Sequence, residues 1–556
     1  MTLFHRLMAL RVYYHLNNFA VSHSLLDGII AKIGFINYFG TSILNGLRDD
    51  VIFCLLATLA IVFLHRKLRI IALVLLAMFY AANVEHIRYN FTNINFALVS
   101  AAVDMTFVRA QLSEEFFDFF LLCLAVWACI AYLGRYKPTV IVSNLITVIV
   151  LLAIALPIYS SNFTQPQWMQ THPLLPISNH PQITQNNRSF EEAPFTANTG
   201  VSVPERFQPV RNLLIVYLEG LSHLSIESGD MSYLKSLESE NTTYTRHFGH
   251  QLITANGLYT SLTGNLPRFI SEDLRWDEIL AKDADVPLAL PIVLKNHGYQ
   301  TGFFQSAPNG YMSKDQILPL LGFDTVFGDE QHPEHQARSG WGIDDKSLFT
   351  NALNHIDSLD PDSPWMLGIL NTGTHSPYFS PDDFLPESTD NRYRALRYLD
   401  EAIFELIEGL KARQLLNNTV VVITSDESRE MPGGMILENE IALGWLPLIL
   451  MTPETESQSI NEYVMNSELP GIILNSLGKE KFEESSYKKN SIVFGNVITN
   501  RLVWYDISTQ ELLSCNTQSF VCGLYGEVSD LANLTKVKPL QQAYFPNLEA
   551  LIKKYE

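Results

Sequence analysis

Long, nearly uncharged apolar runs crowd one end of this chain, and they divide the fold before any motif is considered. Four stand at residues 51–64, 70–84, 116–133 and 139–159, with a weaker fifth at 20–47 that carries Asp27 and Lys32. A bilayer core takes about 20 apolar residues, so these runs, extended by their flanks into the interface, read as about five transmembrane helices. A cleaved signal peptide contributes a single apolar stretch and does not account for a series spread over this length.

Basic residues orient the series. The cluster His65-Arg66-Lys67-Leu68-Arg69 follows the second run, and Arg135 and Lys137 follow the fourth. The positive-inside rule puts both loops in the cytoplasm, and Arg6 and Arg11 put the N-terminus there too. Everything beyond residue 159 is then expected outside the cytoplasm. Dropping the weak first run moves only the N-terminus.

Charge follows the same division. Residues 1–160 hold 11 Lys+Arg and 8 Asp+Glu, a net +3; the whole chain holds 38 and 58, so the remainder holds 27 and 50, a net −23. An acidic exterior part argues against nucleic acid, whose binding draws on clustered Lys and Arg. Cys54, Cys123 and Cys129 fall in the apolar runs and read as small apolar fillers. Cys515 and Cys522 bracket six residues in the exterior part, where an oxidising compartment favours a disulfide closing a hairpin or loop. Residues 161–210, rich in Pro, Asn, Gln, Ser and Thr, read as an extended linker. The expected organisation is a membrane domain at 1–160, this linker, and an extracytoplasmic domain at 211–556.

From residue 212 onward short apolar runs alternate with amphipathic ones, the pattern of an α/β fold with helices on both faces of a central, mostly parallel sheet. The clearest strands are 213–218, 299–304, 365–370 and 419–424. Each is followed by polar residues: Glu219; Gln305-Ser306; Thr372-Gly373-Thr374-His375; Ser425-Asp426-Glu427. In open α/β sheets ligands bind beyond the carboxyl ends of the strands, so these groups are expected to converge on one edge.

Between the first two strands lies Thr254-Ala255-Asn256-Gly257-Leu258-Tyr259-Thr260-Ser261-Leu262-Thr263-Gly264. Thr254 has two readings here: a helix N-cap, for which Thr is a common choice, or a nucleophile at a helix N-terminus, where free N–H groups favour an anion. The run resembles the nucleophile signature of the sulfatase/alkaline-phosphatase superfamily, in which a Cys, Ser or Thr opens a helix and Thr-Gly follows nine and ten residues later. Asn212-Leu-Leu-Ile-Val-Tyr-Leu-Glu219 resembles the superfamily's first strand with its metal-binding acid. Thr419-Val-Val-Val-Ile-Thr-Ser-Asp426 resembles the later strand that ends in Asp-His, and Leu446-Pro447-Leu448-Ile449-Leu450 the strand after it. Asn241-Thr-Thr-Tyr244, His250-Gln251 and Trp341-Gly-Ile-Asp-Asp345, with the multi-span anchor, resemble the lipoteichoic acid synthase and phosphoglycerol transferase branch.

The resemblance implies a membrane-anchored transferase of the bacterial inner membrane with a periplasmic catalytic domain. It would move phosphoglycerol, or phosphoethanolamine, from a phospholipid donor to an envelope glycan or lipid acceptor through a phospho-threonine at Thr254. It implies one divalent cation held by Glu219, Thr254, Asp426 and Glu427, and a role for His375 at the headgroup or leaving group. Glu427 stands where the family has His; the ligand set becomes all oxygen, which suits Mn²⁺, Mg²⁺ or Ca²⁺ better than Zn²⁺, with Mn²⁺ or Mg²⁺ expected first. Gln305, Met312 and Lys314 stand where the synthases place the His, Trp and Arg of their headgroup-contacting segment, so a titratable group and an aromatic wall are expected to be missing. Gln305, Lys314 and His375 are the expected substrate contacts. Two further readings stay open: a non-catalytic binding or sensing protein on the same fold, and a sulfatase or phosphatase-type hydrolase. Against the latter, Leu258 stands where the sulfatase signature has Arg.

Overall fold

The computed structural model describes residues 207–267, 275–280, 285–332, 335–375, 378–427, 444–453, 457–478, 491–496, 501–516, 521–527 and 541–544, with residues 71, 200, 201 and 203. The apolar runs expected to span a membrane, apart from Ile71, and nearly all of the linker lie outside the described residues. Among the described residues no helix is long and apolar enough to cross a membrane. The chain divides into two units, residues 1–182 with 432–435, and residues 183–431 with 436–556; every element below belongs to the second.

The elements come in this order: β1 (Asn212–Leu218), α1 (Leu224–Glu227), α2 (Ser232–Glu240), β2 (Thr242–Phe248), α3 (Thr254–Thr263), α4 (Leu290–Lys295), β3 (Gln300–Gln305), α5 (Lys314–Leu320), β4 (Thr325–Phe327), then the short strands β5 (Arg338–Ser339) and β6 (Gly342–Ile343). After them come α6 (Asp345–Ser358), β7 (Trp365–Leu370), α7 (Asn391–Ala412), β8 (Thr419–Ser425), β9 (Trp445–Leu446), β10 (Leu448–Met451), β11 (Gln458–Met465) and α8 (Leu469–Leu477). A run of strands follows: β12 (Ser491–Asn496), β13 (Arg501–Asp506), β14 (Glu511–Asn516), β15 (Val521–Glu527) and β16 (Gln541–Tyr544).

The central sheet runs β11-β2-β10-β8-β1-β7-β3-β4, with β9 paired to β2. Pairs β1–β7, β1–β8, β3–β7, β3–β4 and β2–β11 are parallel; β10–β8, β10–β2 and β2–β9 are antiparallel, so the sheet is mixed. β1 and β8 are continuous apolar, β-branched-rich runs, as strands buried on both faces require, and β8 is buried throughout. Leu213, Ile215 and Tyr217 face one core with α3, α4 and α8. Leu214, Val216 and Leu218 face the other, with α6 and α7. Pro447 parts β9 from β10, where a single strand was expected over 446–450, because proline donates no ladder hydrogen bond.

Register places the site. Leu218 pairs with Ser425, Tyr217 with Leu370, and Gln305 with Leu370, all in parallel. The residues just past β1, β8, β7 and β3 therefore emerge at one edge, as the strand-end polar residues led us to expect.

The sequence reading did not anticipate the second sheet, β12-β13-β14-β15-β16, which is antiparallel throughout. It joins the central sheet through Phe248, Trp445 and Met465, which pack with Ile492, Val503, Tyr505 and Leu512. Gly495 N–H donates to the His250 carbonyl at 2.8 Å, beside the approach to α3. In the β14–β15 ladder Cys515 lies directly opposite Cys522.

Candidate active site

α3 begins at Thr254, and the cap position belongs to Ile253, whose side chain offers no hydrogen bond. Thr254 is the first helical residue and is not the N-cap, so its hydroxyl is free for other work. Every residue of α3 is buried. Such depth is reached because residue 257 is glycine: a Cβ there would lie 1.8 Å from the Asp426 carbonyl oxygen. The backbone of α3 thus rests directly on the turn that ends β8.

That contact brings four sequence-predicted residues together. Thr254 Oγ1 lies 3.3 Å from Glu427 Oε1 and 3.5 Å from Glu219 Oε1, long contacts to two carboxylates. Carboxylate oxygens of Glu219, Asp426 and Glu427 all fall within 4.8 Å of one another, and all three residues are buried. Asp426 Oδ1 accepts from Gly220 N–H at 3.1 Å, while Oδ2 accepts no hydrogen bond. Burial raises the Asp426 carboxyl above its usual range, partly offset by the Glu427 and Gly220 amides.

Lys314 opens α5 and is buried beside the acids. Burial lowers its ammonium pKa, while Glu219, Asp426 and Glu427 pull it back up. The two residues before it, Met312 and Ser313, have φ of 56° and 52°. Non-glycine residues in this left-handed region cost about 1–3 kcal/mol each and persist where surrounding structure holds them. Here they turn the chain so that Lys314 enters the site.

Fully ionised, three carboxylates and one ammonium leave a buried charge of −2. Water does not screen it, and uncompensated buried charge is expensive. A divalent cation fits this donor set: it cancels the excess and supplies the partner that Asp426 Oδ2 lacks.

Glu219 itself is clamped from behind. Its N–H donates to Asn371 Oδ1 at 2.8 Å, and its carbonyl accepts from Thr374 Oγ1 at 2.6 Å. Asn371 Nδ2 donates in turn to Asp345 Oδ1 at 3.2 Å, as does Gly373 N–H. Burial pushes the Asp345 carboxyl up to about 7.

The remaining predicted contacts are not in this cluster. His375, half-buried, lies against Trp341 with ring centroids 4.3 Å apart. Gln305 is fully buried at the end of β3, but its Nε2 donates to the Pro308 carbonyl and Asn309 Oδ1 of its own turn. Met312 brings no ring, but other aromatic rings stand nearby. Lys314 Nζ sits 5.3 Å from the Tyr311 ring, Tyr311 packs edge-on against Trp341, and Trp341 meets His375. Sequence reasoning also missed Asp345, Asn371 and Thr374 as supports. Their signal was slight: polar residues beside a strand end and a helix start. The mid-helix Gly257 was a plainer one, since glycine costs helix stability unless close packing demands it.

Residues 211–478 match the family model described as Sulfatase. A stretch of 235 residues is 23% identical to Lipoteichoic acid synthase 1 of Bacillus subtilis, covering 39% of this chain and 36% of that protein. Another of 241 residues is 25% identical to Phosphoglycerol transferase I of Citrobacter koseri, covering 39% and 31%. The chain thus spans about a third of the length of these two relatives. A solved protein of the alkaline phosphatase superfamily from Vibrio parahaemolyticus superposes with a TM-score of 0.52 at 15% identity, covering 64% of this chain and 90% of that one. That likeness bears on the fold.

Proposed function

We propose that this chain, whose residues 211–478 form a Sulfatase-family domain, is a membrane-anchored, metal-dependent transferase. It moves a phosphoglycerol or phosphoethanolamine group from a phospholipid to an envelope glycan or lipid. One observation carries the reading: the hydroxyl that opens a wholly buried helix meets two carboxylates of a buried three-carboxylate cluster at 3.3 and 3.5 Å. A surface cap has no use for such neighbours. The name of one relative, Phosphoglycerol transferase I, supports phosphoglycerol as the group moved, and the apolar runs of residues 1–160 support a lipid donor and a bacterial inner-membrane location with the catalytic domain periplasmic.

Glu219, Asp426, Glu427 and Thr254 Oγ1 would hold one divalent cation, Mn²⁺ or Mg²⁺ suiting an oxygen-only set best. Once bound, the ion supplies Lewis acidity that favours the ionised hydroxyl and balances charge on the phosphoryl oxygens. In the first step Thr254 Oγ1 passes its proton to Glu427 Oε1 and bonds to phosphorus. The bond from phosphorus to the diacylglycerol oxygen breaks, and that oxygen takes a proton from His375. In the second step an acceptor hydroxyl bonds to phosphorus and returns a proton to His375, while the bond from phosphorus to Thr254 Oγ1 breaks and Oγ1 regains its proton from Glu427. Two in-line displacements replace one difficult transfer. Lys314 faces the anionic headgroup as a point charge, and the N-terminal amides of α3 add to it.

The test is mass spectrometry of the Thr254 peptide after the full chain meets vesicles of mixed phosphatidylglycerol and phosphatidylethanolamine with Mn²⁺. We expect a phosphoglycerol or phosphoethanolamine adduct that vanishes in Thr254→Ala, with turnover falling by about 10⁴-fold or more. A folded, metal-loaded protein that forms no adduct would leave the binding-protein reading in its place.

A further inference from the structure

A second group of metal-ligating side chains lies on the far side of the turn that follows Glu219. His223 stands just before α1, Glu227 closes α1 one helical turn later, and Glu238 reaches over from α2. The i, i+4 spacing puts His223 and Glu227 on one face. His223 Nε2 is 3.1 Å from Glu238 Oε1 and 3.5 Å from Glu227 Oε1. His223 is 3% exposed, and its ring is held flat against Trp445, centroids 4.2 Å apart.

These contacts are not what they first resemble. Neither His223 nitrogen makes a hydrogen bond among the described residues, and neither does Glu238 Oε1. Two buried polar atoms thus face each other at 3.1 Å, within ion-pair distance but without a hydrogen bond. Such groups call for an explanation, an ion or water being the usual one. Ligands about 2.0–2.2 Å from a tetrahedral ion sit roughly 3.3 Å apart, close to both separations seen here.

We propose that His223 Nε2, Glu238 Oε1 and Glu227 Oε1 form a second metal site, for a divalent transition ion of which Zn²⁺ is the best fit. A mixed nitrogen and oxygen set suits zinc, whereas the all-oxygen cluster at Thr254 suits Mn²⁺ or Mg²⁺. Lys235 is the competitor: its Nζ contacts Glu227 Oε1 and lies 3.1 Å from Glu238 Oε2, half exposed on the outer side. The ion takes the inner side and leaves Glu238 Oε2 to Lys235. Its role is structural. It pins the 220–223 turn to α2, and Gly220 within that turn donates to Asp426 Oδ1.

To test this, the full chain is stripped with chelator, equilibrated with Zn²⁺ in excess Mg²⁺ that fills the oxygen-only site, and its bound zinc counted. Wild type retains a single equivalent. His223→Asn and Glu238→Gln lose it, their affinity falling by at least the roughly 10- to 100-fold that even a supporting residue costs. Lys235→Met removes the competing cation and raises zinc affinity, a gain that a misfolded variant does not mimic. Replacement by Co²⁺ gives the visible absorption of a tetrahedral site in wild type only. Unchanged zinc in His223→Asn and Glu238→Gln, or an unchanged or lowered affinity in Lys235→Met, overturns the proposal.

Discussion

Thr254 Oγ1 and Glu427 Oε1 lie 3.3 Å apart, although 173 residues separate them along the chain. In the proposed mechanism Glu427 both takes the hydroxyl proton and shares a cation with Thr254. Replacing this carboxylate with an imidazole adds a nitrogen ligand, so Glu427→His is expected to shift metal preference towards Zn²⁺. Metal content after dialysis against equimolar Mn²⁺ and Zn²⁺ checks this. If the protein binds neither ion before or after the change, the ligand assignment is wrong.

Lys314 and the proposed metal would answer the same negative charge. Lys314→Met removes a cation without removing a ligand, so divalent-ion affinity should rise, by about tenfold for roughly 1.4 kcal/mol of lost repulsion. Turnover of a phosphate ester should fall at the same time, because the headgroup loses its positive neighbour. Calorimetric titration with Mn²⁺ alongside steady-state kinetics separates the two effects, and a joint fall in both would refute this division.

Gly257 lets α3 touch the Asp426 backbone. Gly257→Ala places a Cβ 1.8 Å from that carbonyl oxygen, where backbone must move. Its cost should reach the upper end of overpacking, about 3 kcal/mol or more, with weakened metal binding as Asp426 shifts. Gly471→Ala in α8, with nothing within 4 Å of the added atom, serves as control and should gain up to about 1 kcal/mol. Urea unfolding of both variants decides the matter; a harmless Gly257→Ala would contradict the packing described.

Asp345 makes stability depend on pH. Its carboxyl is raised to about 7 in the folded chain, against about 3.9 when unfolded. Below about pH 4 both states hold the proton. Between about 4 and 7 only the unfolded chain releases it, so stability falls as pH rises through this window and levels off above it. The slope is at most roughly 1.4 kcal/mol per pH unit. Asp345→Asn, which keeps an oxygen for Asn371 and Gly373, should flatten the profile in urea melts between pH 5 and pH 8.

Cys515 and Cys522 face each other across β14 and β15. Directly opposed residues on antiparallel strands have Cα atoms about 4.5–5.5 Å apart, within the span of a disulfide. A non-reduced digest is expected to contain a peptide linking the two. Ready alkylation of both thiols in the native, unreduced protein would rule the bridge out.

Much of the central sheet was legible from the chain alone. Strand β7 matches its expected bounds, and β1, β3 and β8 differ by single residues, because strands buried on both faces are continuous apolar runs that stop at polar groups. The convergence of Glu219, Asp426 and Glu427 followed from the same rule about strand ends. Gln305 shows its limit: the residue stands at the expected strand end, yet its amide turns back to Pro308 and Asn309. The antiparallel sheet over 491–544 was not read from the sequence.

Apolar periodicity and turn residues act over a few positions, so the main parallel strands and the polar residues at their ends could be read without coordinates, while the helix at Thr254 and a metal role for the acids came from the family resemblance. Side-chain distances obey no such local rule. They depend on sheet register, on the backbone contact that Gly257 permits, and on the strained turn at Met312 and Ser313 that swings Lys314 inward. Only folding could bring Tyr311, Trp341 and His375 into one wall, or set His223 and Glu238 3.1 Å apart without a hydrogen bond.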